Sequence, residues 1–246
     1  MDIKNAADAL KELQANAPGL FAGLNEVNTR VSGRDRMYNP ENARQYFRCG
    51  AEAAQICKRA FGDAGILAGD VREVLDYACG YGRVTRFLRA TFQQANILGA
   101  DVDKRALRHL TAILGEETQL LDRDSDAARF NNSFDLIWVG SLFTHLPEKR
   151  VYSVLEALIK HLTDSGRIIF TMHGKFVVQR LQERQKTYNL QEQSIRTILD
   201  EYHQHGYGFV PYSGQDEYGI SVVDPSHTGT MLDKLGLSQL AFMEKG

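Results

Sequence analysis

The sequence predicts an α/β fold: a mostly parallel sheet with helices on both faces, behind an N-terminal helical extension. Three observations predict it. From residue 73 onward, short apolar runs alternate with longer amphipathic stretches. The first of these runs opens into a glycine-rich turn that begins a helix. The chain has 246 residues, 43% of them hydrophobic and 24% charged, the composition of one or two folded domains. Repeated strand-then-helix units fold as a parallel sheet, and right-handed crossovers leave few topologies open.

The elements follow in order. Residues 1–72 read as a helical cap. Ala9, Leu10 and Leu13 share one face of a short helix that stops before Pro18 and Gly19. Residues 31–38 are polar and irregular. Asn39 then caps a helix with Pro40 at its first position, running to Phe61 with Gly62 as its stop. Residues 73–246 form the sheet domain. Strands are expected at 73–77, 97–102, 118–121, 134–139 and 167–172, and helices at 82–91, 103–114 and 148–162. An insert at 174–225 follows. It holds two helices broken near Asn189 and a segment rich in Gly, Tyr and Pro. A helix at 226–235 and a strand at 237–243 close the chain.

Composition bounds the partners. Lys plus Arg is 29 and Asp plus Glu is 31, with no run of basic residues, so nucleic acid is disfavoured as a substrate. Cys49, Cys57 and Cys79 lack paired spacing, which argues against a disulfide framework and for a reducing compartment. No apolar run is long enough to span a membrane, and the polar N-terminus resembles neither a signal nor a transit peptide. A cytoplasmic location is expected. There is no Cys-x-x-Cys, no His-Glu-x-x-His and no Walker loop, so no metal site is expected.

The segment Val74-Leu75-Asp76-Tyr77-Ala78-Cys79-Gly80-Tyr81-Gly82 carries the chemistry. Gly80 and Gly82 permit a tight turn and close approach of a ligand, and the helix behind offers free N–H groups. That much describes any Rossmann-like nucleotide site. Two details narrow it. Thr85 stands where a dinucleotide fingerprint needs a third small residue. Asp76 ends the first strand, where a carboxylate repels a pyrophosphate but suits an ammonium group. Asp101 ends the second strand, at the position that holds a ribose hydroxyl. An adenosine bearing an amino-acid tail fits both acids.

With these residues the chain resembles the class I S-adenosylmethionine-dependent methyltransferases. Asp76-x-Ala78-x-Gly80-x-Gly82 matches their first motif, with Ala78 in place of the first glycine, which suits a negative φ. Gly99-Ala100-Asp101-Val102-Asp103 resembles their second strand, Ser133 to Trp138 their fourth, and Leu155 to Arg167 the helix and turn before the fifth. The resemblance spans about residues 40–246. It implies S-adenosyl-L-methionine as cofactor, with S-adenosyl-L-homocysteine as product. The implied binding residues are Asp76, Ala78, Cys79, Gly80, Gly82, Asp101, Val102, Gly140 and Ser141. Asp124 is the choice for the adenine amine, with Asp122 and Asp126 competing.

His145 and His173 follow the fourth and fifth strands, on the ligand edge of such sheets, and are the candidate catalytic bases. Their structural alternative is a packed, hydrogen-bonded histidine. Similar proteins are mostly bacterial and modify small molecules or glycans, so methyl transfer to O or N of such an acceptor is expected. Two rivals stand beside this reading: a catalytically silent methyltransferase-like domain, and an NAD(P)-dependent oxidoreductase. The family's sheet ends in an antiparallel pair, and only residues 237–243 supply a strand for it. The pair is therefore expected to be incomplete, with fusion or pairing to another domain or chain at that edge.

Overall fold

The structure, a computed structural model, describes residues 3–123 and 129–244. Its helices are α1 (Ile3–Asn16), α2 (Ala43–Gly62), α3 (Thr85–Thr91), α4 (Lys104–Leu114), α5 (Glu148–Ile159), α6 (Lys175–Gln182), α7 (Glu192–His205) and α8 (Pro225–Lys234). Its strands are β1 (Glu73–Tyr77), β2 (Asn96–Asp101), β3 (Glu117–Leu120), β4 (Phe134–Val139), β5 (Leu162–Phe170), β6 (Tyr207–Pro211) and β7 (Gly219–Val223). The first five form a parallel sheet in the order β3-β2-β1-β4-β5. Leu75 of β1 sits beside Leu98 of β2 and Ile137 of β4. The expected α/β architecture is thus present.

Local chemistry explains the element ends. The Asp103 carboxylate accepts the N–H groups of Arg105 and Ala106 and starts α4, and Gly115 at φ +72° ends it. Asn39 accepts from the N–H of Glu41 ahead of α2. Tyr188 and Asn189 both take positive φ between α6 and α7, which puts the break where the sequence places it.

Two compact units result. Of the described residues, the first comprises 3–123, 130–140 and 161–169, and the second 129, 141–160 and 170–244. No division falls at residue 72, because α2 shares the first unit's core. Ala53, Cys57 and Phe61 pack with Val74, Leu88, Phe92, Ile97, Leu136 and Trp138. The second unit has its own core, built from Val178, Leu181, Ile195, Ile198, Ile220 and Val222.

The C-terminal expectation is corrected. Residues 237–243 form no strand, and Leu240 is 72% exposed. An antiparallel pair exists elsewhere, as β6 and β7 inside the segment read as an insert, with Val210 opposite Ile220. The edge that was to recruit another domain is therefore not built from residues 237–243. Among the described residues no helix is long and apolar enough to cross a membrane.

Candidate active site

The first unit holds the glycine turn at the carboxyl end of β1, the edge where open α/β sheets bind ligands. Gly80 takes φ +53°, and a Cβ there would meet nothing within 4 Å, so its backbone borders open space. Gly82 takes φ +78° for a different reason: a Cβ would lie 2.4 Å from Leu110 Cδ1 on α4. Gly99 is squeezed by the same leucine, at 2.3 Å. One glycine therefore borders open space, and the other two let α4 approach the turn and β2. Cys79 is buried with Leu107 and Leu110, and burial together with Asp76 and Asp101 raises its thiol pKa well above the ordinary value. It packs, and is not a thiolate.

Ala78 differs from expectation. Its φ is +61°, the left-handed region that a Cβ disfavours. Ala78→Gly is therefore expected to stabilise the chain by about 0.5–1 kcal/mol, the relief of strain less the entropy of the freer unfolded glycine. Urea unfolding of both proteins measures this, and a destabilised variant would contradict the strain.

The two acids play different parts. Asp101 is half-buried and ties the turn to the sheet: Oδ2 accepts the Gly80 N–H at 2.8 Å, and Oδ1 accepts the Asp103 N–H at 2.8 Å. Each oxygen keeps a free lone pair, which suits a pair of ribose hydroxyls. Val102 beside it is 39% exposed and offers an apolar face. Asp76 is only 2% exposed, and its Oδ2 accepts the Thr85 hydroxyl at 2.6 Å. It sits beneath the turn, and Thr85, which breaks the dinucleotide pattern, is its partner.

Burial raises the Asp76 pKa to about 7, with Thr85 opposing and Asp101 adding to the rise. A carboxyl whose folded pKa exceeds its unfolded value binds extra protons in the folded state. Its stabilising contribution is full below about pH 4 and is lost as pH rises through about 7. Asp76→Asn, which keeps an acceptor for Thr85, is therefore expected to gain stability over the parent at pH 8 and to lose that gain toward pH 5. Thermal unfolding across this range tests it; a difference that does not change with pH would contradict it.

Sequence reasoning missed Arg86. It is 1% exposed, and its guanidinium donates to four backbone carbonyls: Gly82 at 2.9 Å, Asn28 at 2.7 Å, Arg30 at 3.0 Å and Tyr81 at 3.4 Å. It thus stitches the segment after α1 to the glycine turn. Its guanidinium carbon also lies 5.7 Å from the ring centroid of Tyr46, whose hydroxyl donates to buried Asp35 at 2.8 Å.

Gly140 ends the first unit at the tip of β4; a Cβ there would lie 2.6 Å from Trp138 Nε1. Ser141 begins a segment of the second unit at φ +59°, and its N–H donates to Thr171 Oγ1 at 2.8 Å. Asp124 and Asp126 lie outside the described residues. A concavity of about 530 Å³ in the first unit is lined by Thr111, Gly115, Glu117, Thr118 and Asn131 at the start of β3, away from the glycine turn.

His145 and His173 both belong to the second unit, with ring centroids 6.5 Å apart. His145 Nδ1 meets the Gly219 carbonyl at 2.7 Å, and His173 Nδ1 meets the Ser221 carbonyl at 3.1 Å. A carbonyl only accepts, so both Nδ1 atoms carry the proton. Burial lowers both pKa values, that of His173 to about 4. Tyr218 stacks on His145 at 5.0 Å and Tyr188 lies 5.4 Å from His173.

A parallel sheet of this order, an acid at the end of β2 and an open glycine turn make up the arrangement shared by open α/β nucleotide sites. Residues 74–166 match the family model described as a methyltransferase domain, the stretch from β1 through β4 into β5. That match covers less than half of the chain, and it gives residues 74–166 the likeness of a methyltransferase domain. No curated protein matches the chain. Among solved structures, an S-adenosylmethionine-dependent methyltransferase from Clostridium acetobutylicum ATCC 824 is 15% identical at TM-score 0.55, covering 77% of this chain and 81% of that one. DesVI of Streptomyces venezuelae is 16% identical at TM-score 0.41, covering 51% of this chain and 50% of that one. The sugar N-methyltransferase KedS8 from Streptoalloteichus sp ATCC 53650 is 18% identical at TM-score 0.43, covering 60% of this chain and 58% of that one. The chain thus spans half of DesVI. The Clostridium likeness agrees with the observed fold.

Proposed function

We propose that the chain transfers a methyl group from S-adenosyl-L-methionine to an oxygen or nitrogen of a small-molecule or sugar-type acceptor. The observation that carries the cofactor assignment is the half-satisfied Asp101 carboxylate joined to the Gly80 N–H, beside open space over Gly80. Bound there, the cofactor supplies a methyl group activated on a sulfonium. Asp101 takes the ribose hydroxyls, Val102 the adenine face, and the turn from Ala78 to Gly82 the amino-acid tail. Asp76 acts from beneath the turn by holding Thr85. Gly140, at the end of β4 in the same unit, lines the methionine side.

One of His145 and His173 takes the single proton that an O–H or N–H acceptor gives up on methylation. Both are neutral near pH 7, as a base must be before it acts. The near-neutral charge balance and the lack of a basic run favour a small acceptor over nucleic acid. The family match favours methyl transfer over the hydride-transfer rival. Transfer of a labelled methyl group to a panel of sugars, amines and phenols tests the reading. Turnover on one of these is expected. Homocysteine-product binding without transfer to any acceptor would support the silent-domain rival instead.

A further inference from the structure

The ladder of β6 and β7 fixes where backbone groups point. The Tyr212 N–H donates to the Tyr218 carbonyl at 3.0 Å, so residue 218 is a hydrogen-bonded position. Antiparallel pairs alternate, which gives residues 220 and 222 to β6 and turns the backbone of Gly219, Ser221 and Val223 to the free edge. That edge is sealed by side chains and loops rather than by another strand. His145 donates to Gly219, His173 donates to Ser221, and the Val223 N–H donates to the His173 carbonyl at 2.9 Å. Ser221 Oγ returns a bond to the Phe143 carbonyl at 2.7 Å. Two histidines from separate loops are thereby locked into one tautomer by alternate carbonyls of one strand.

The consequence is chemical. Each ring spends its only proton on β7, so each Nε2 presents a lone pair. Neither Nε2 has a hydrogen-bond partner among the described residues, and neither is among the buried unpartnered atoms. We infer that His145 and His173 form a paired acceptor subsite that reads a ligand with two hydrogen-bond donors on a ring, such as a diol or amino alcohol, and rejects a carboxylate. An anion would bring lone pairs against lone pairs. Tyr188, Tyr212 and Tyr218 surround the pair with aromatic faces that suit the apolar side of such a ring; Tyr212 and Tyr218 lie 6.0 and 5.0 Å from the His145 ring. This rests on the methyltransferase reading and narrows its acceptor to alcohols and amines.

The test uses the full chain and long-range proton–nitrogen NMR of the imidazoles near neutral pH, with trans-cyclohexane-1,2-diol and cyclohexanecarboxylate as matched probes. Both histidines are expected as neutral Nδ1–H tautomers, with the diol moving both Nε2 resonances saturably and the carboxylate leaving them in place. His145→Asn and His173→Asn keep an amide donor for the β7 carbonyl and delete Nε2. Each is expected to weaken diol binding about tenfold or more, with unfolding temperature nearly unchanged. An Nε2–H tautomer, a diol that moves neither resonance, or a carboxylate that moves them more would overturn the subsite. Titration of the same sample with S-adenosylhomocysteine separates the two failures: binding there with a failed probe result rejects the subsite alone, and no binding rejects the cofactor reading beneath it.

Discussion

Arg86→Met is expected to cost about 3–5 kcal/mol of folding stability, because it removes the donors from carbonyls in a site only 1% exposed. Methionine fills much of the volume but donates nothing. The carbonyls of Asn28, Arg30 and Tyr81 lose their arginine partner, and Gly82 loses its side-chain partner. Each orphaned buried acceptor costs about 1–3 kcal/mol, softened where water reaches it. The same change frees the glycine turn from the segment after α1, so affinity for the homocysteine product is expected to fall with stability. Arg86→Lys keeps the charge but not the fork of donors, and is expected to fall between the two. Urea unfolding measures all three proteins; a loss below about 1 kcal/mol in Arg86→Met would mean the stitch is not structural.

Asp101→Ala is expected to weaken binding of S-adenosylhomocysteine by about 1–3 kcal/mol, roughly 5- to 150-fold. Two losses add. The ribose hydroxyls lose a charged acceptor, and the Gly80 N–H loses the bond that sets the turn. Asp101→Asn separates them: one amide oxygen still accepts, but without charge, so an intermediate affinity is expected. The fold should survive both changes, since Asp101 is half-exposed at a strand end. Equal affinity in Asp101→Ala and the parent would remove the ribose assignment.

Much of this architecture is legible in the residues, for physical reasons. β1, β2 and β4 are buried parallel strands, so Val74-Leu75, Ile97-Leu98 and Leu136-Ile137 read as apolar runs. Asp103 and Gly115 bracket α4 by chemistry that acts within a few residues. The β6–β7 pair is harder to read. Gly208, Pro211 and Gly219 interrupt it, because its backbone passes close to other chain: a Cβ on Gly208 would lie 2.1 Å from the Ile198 carbonyl. Those residues resemble a loop unless the tertiary contact is known. Leu237 to Met243 errs the opposite way, an apolar pattern that leaves Leu240, Phe242 and Met243 exposed.

The candidate site divides along the same line. Asp76, Gly80, Gly82 and Asp101 come from one local turn and the strand next to it, so their grouping follows from spacing. Arg86 does not, since Arg83 and Arg89 flank it on the same helical stretch and nothing in composition marks which one is buried. Its partners Asn28 and Arg30 are 58 and 56 residues away in sequence. The shared tautomer of His145 and His173 depends on β7, 74 and 48 residues further on. The strain at Ala78 is invisible for another reason: alanine carries no mark of the φ it is made to adopt.

The central claim is that the glycine turn and Asp101 hold an adenosine with an amino-acid tail. Calorimetric titration of the full chain with S-adenosylhomocysteine, beside a parallel titration with NAD, tests it most directly. Saturable binding of the thioether in the micromolar range, with no heat from NAD, is the predicted result. A folded sample that binds NAD, or binds neither ligand, would contradict it.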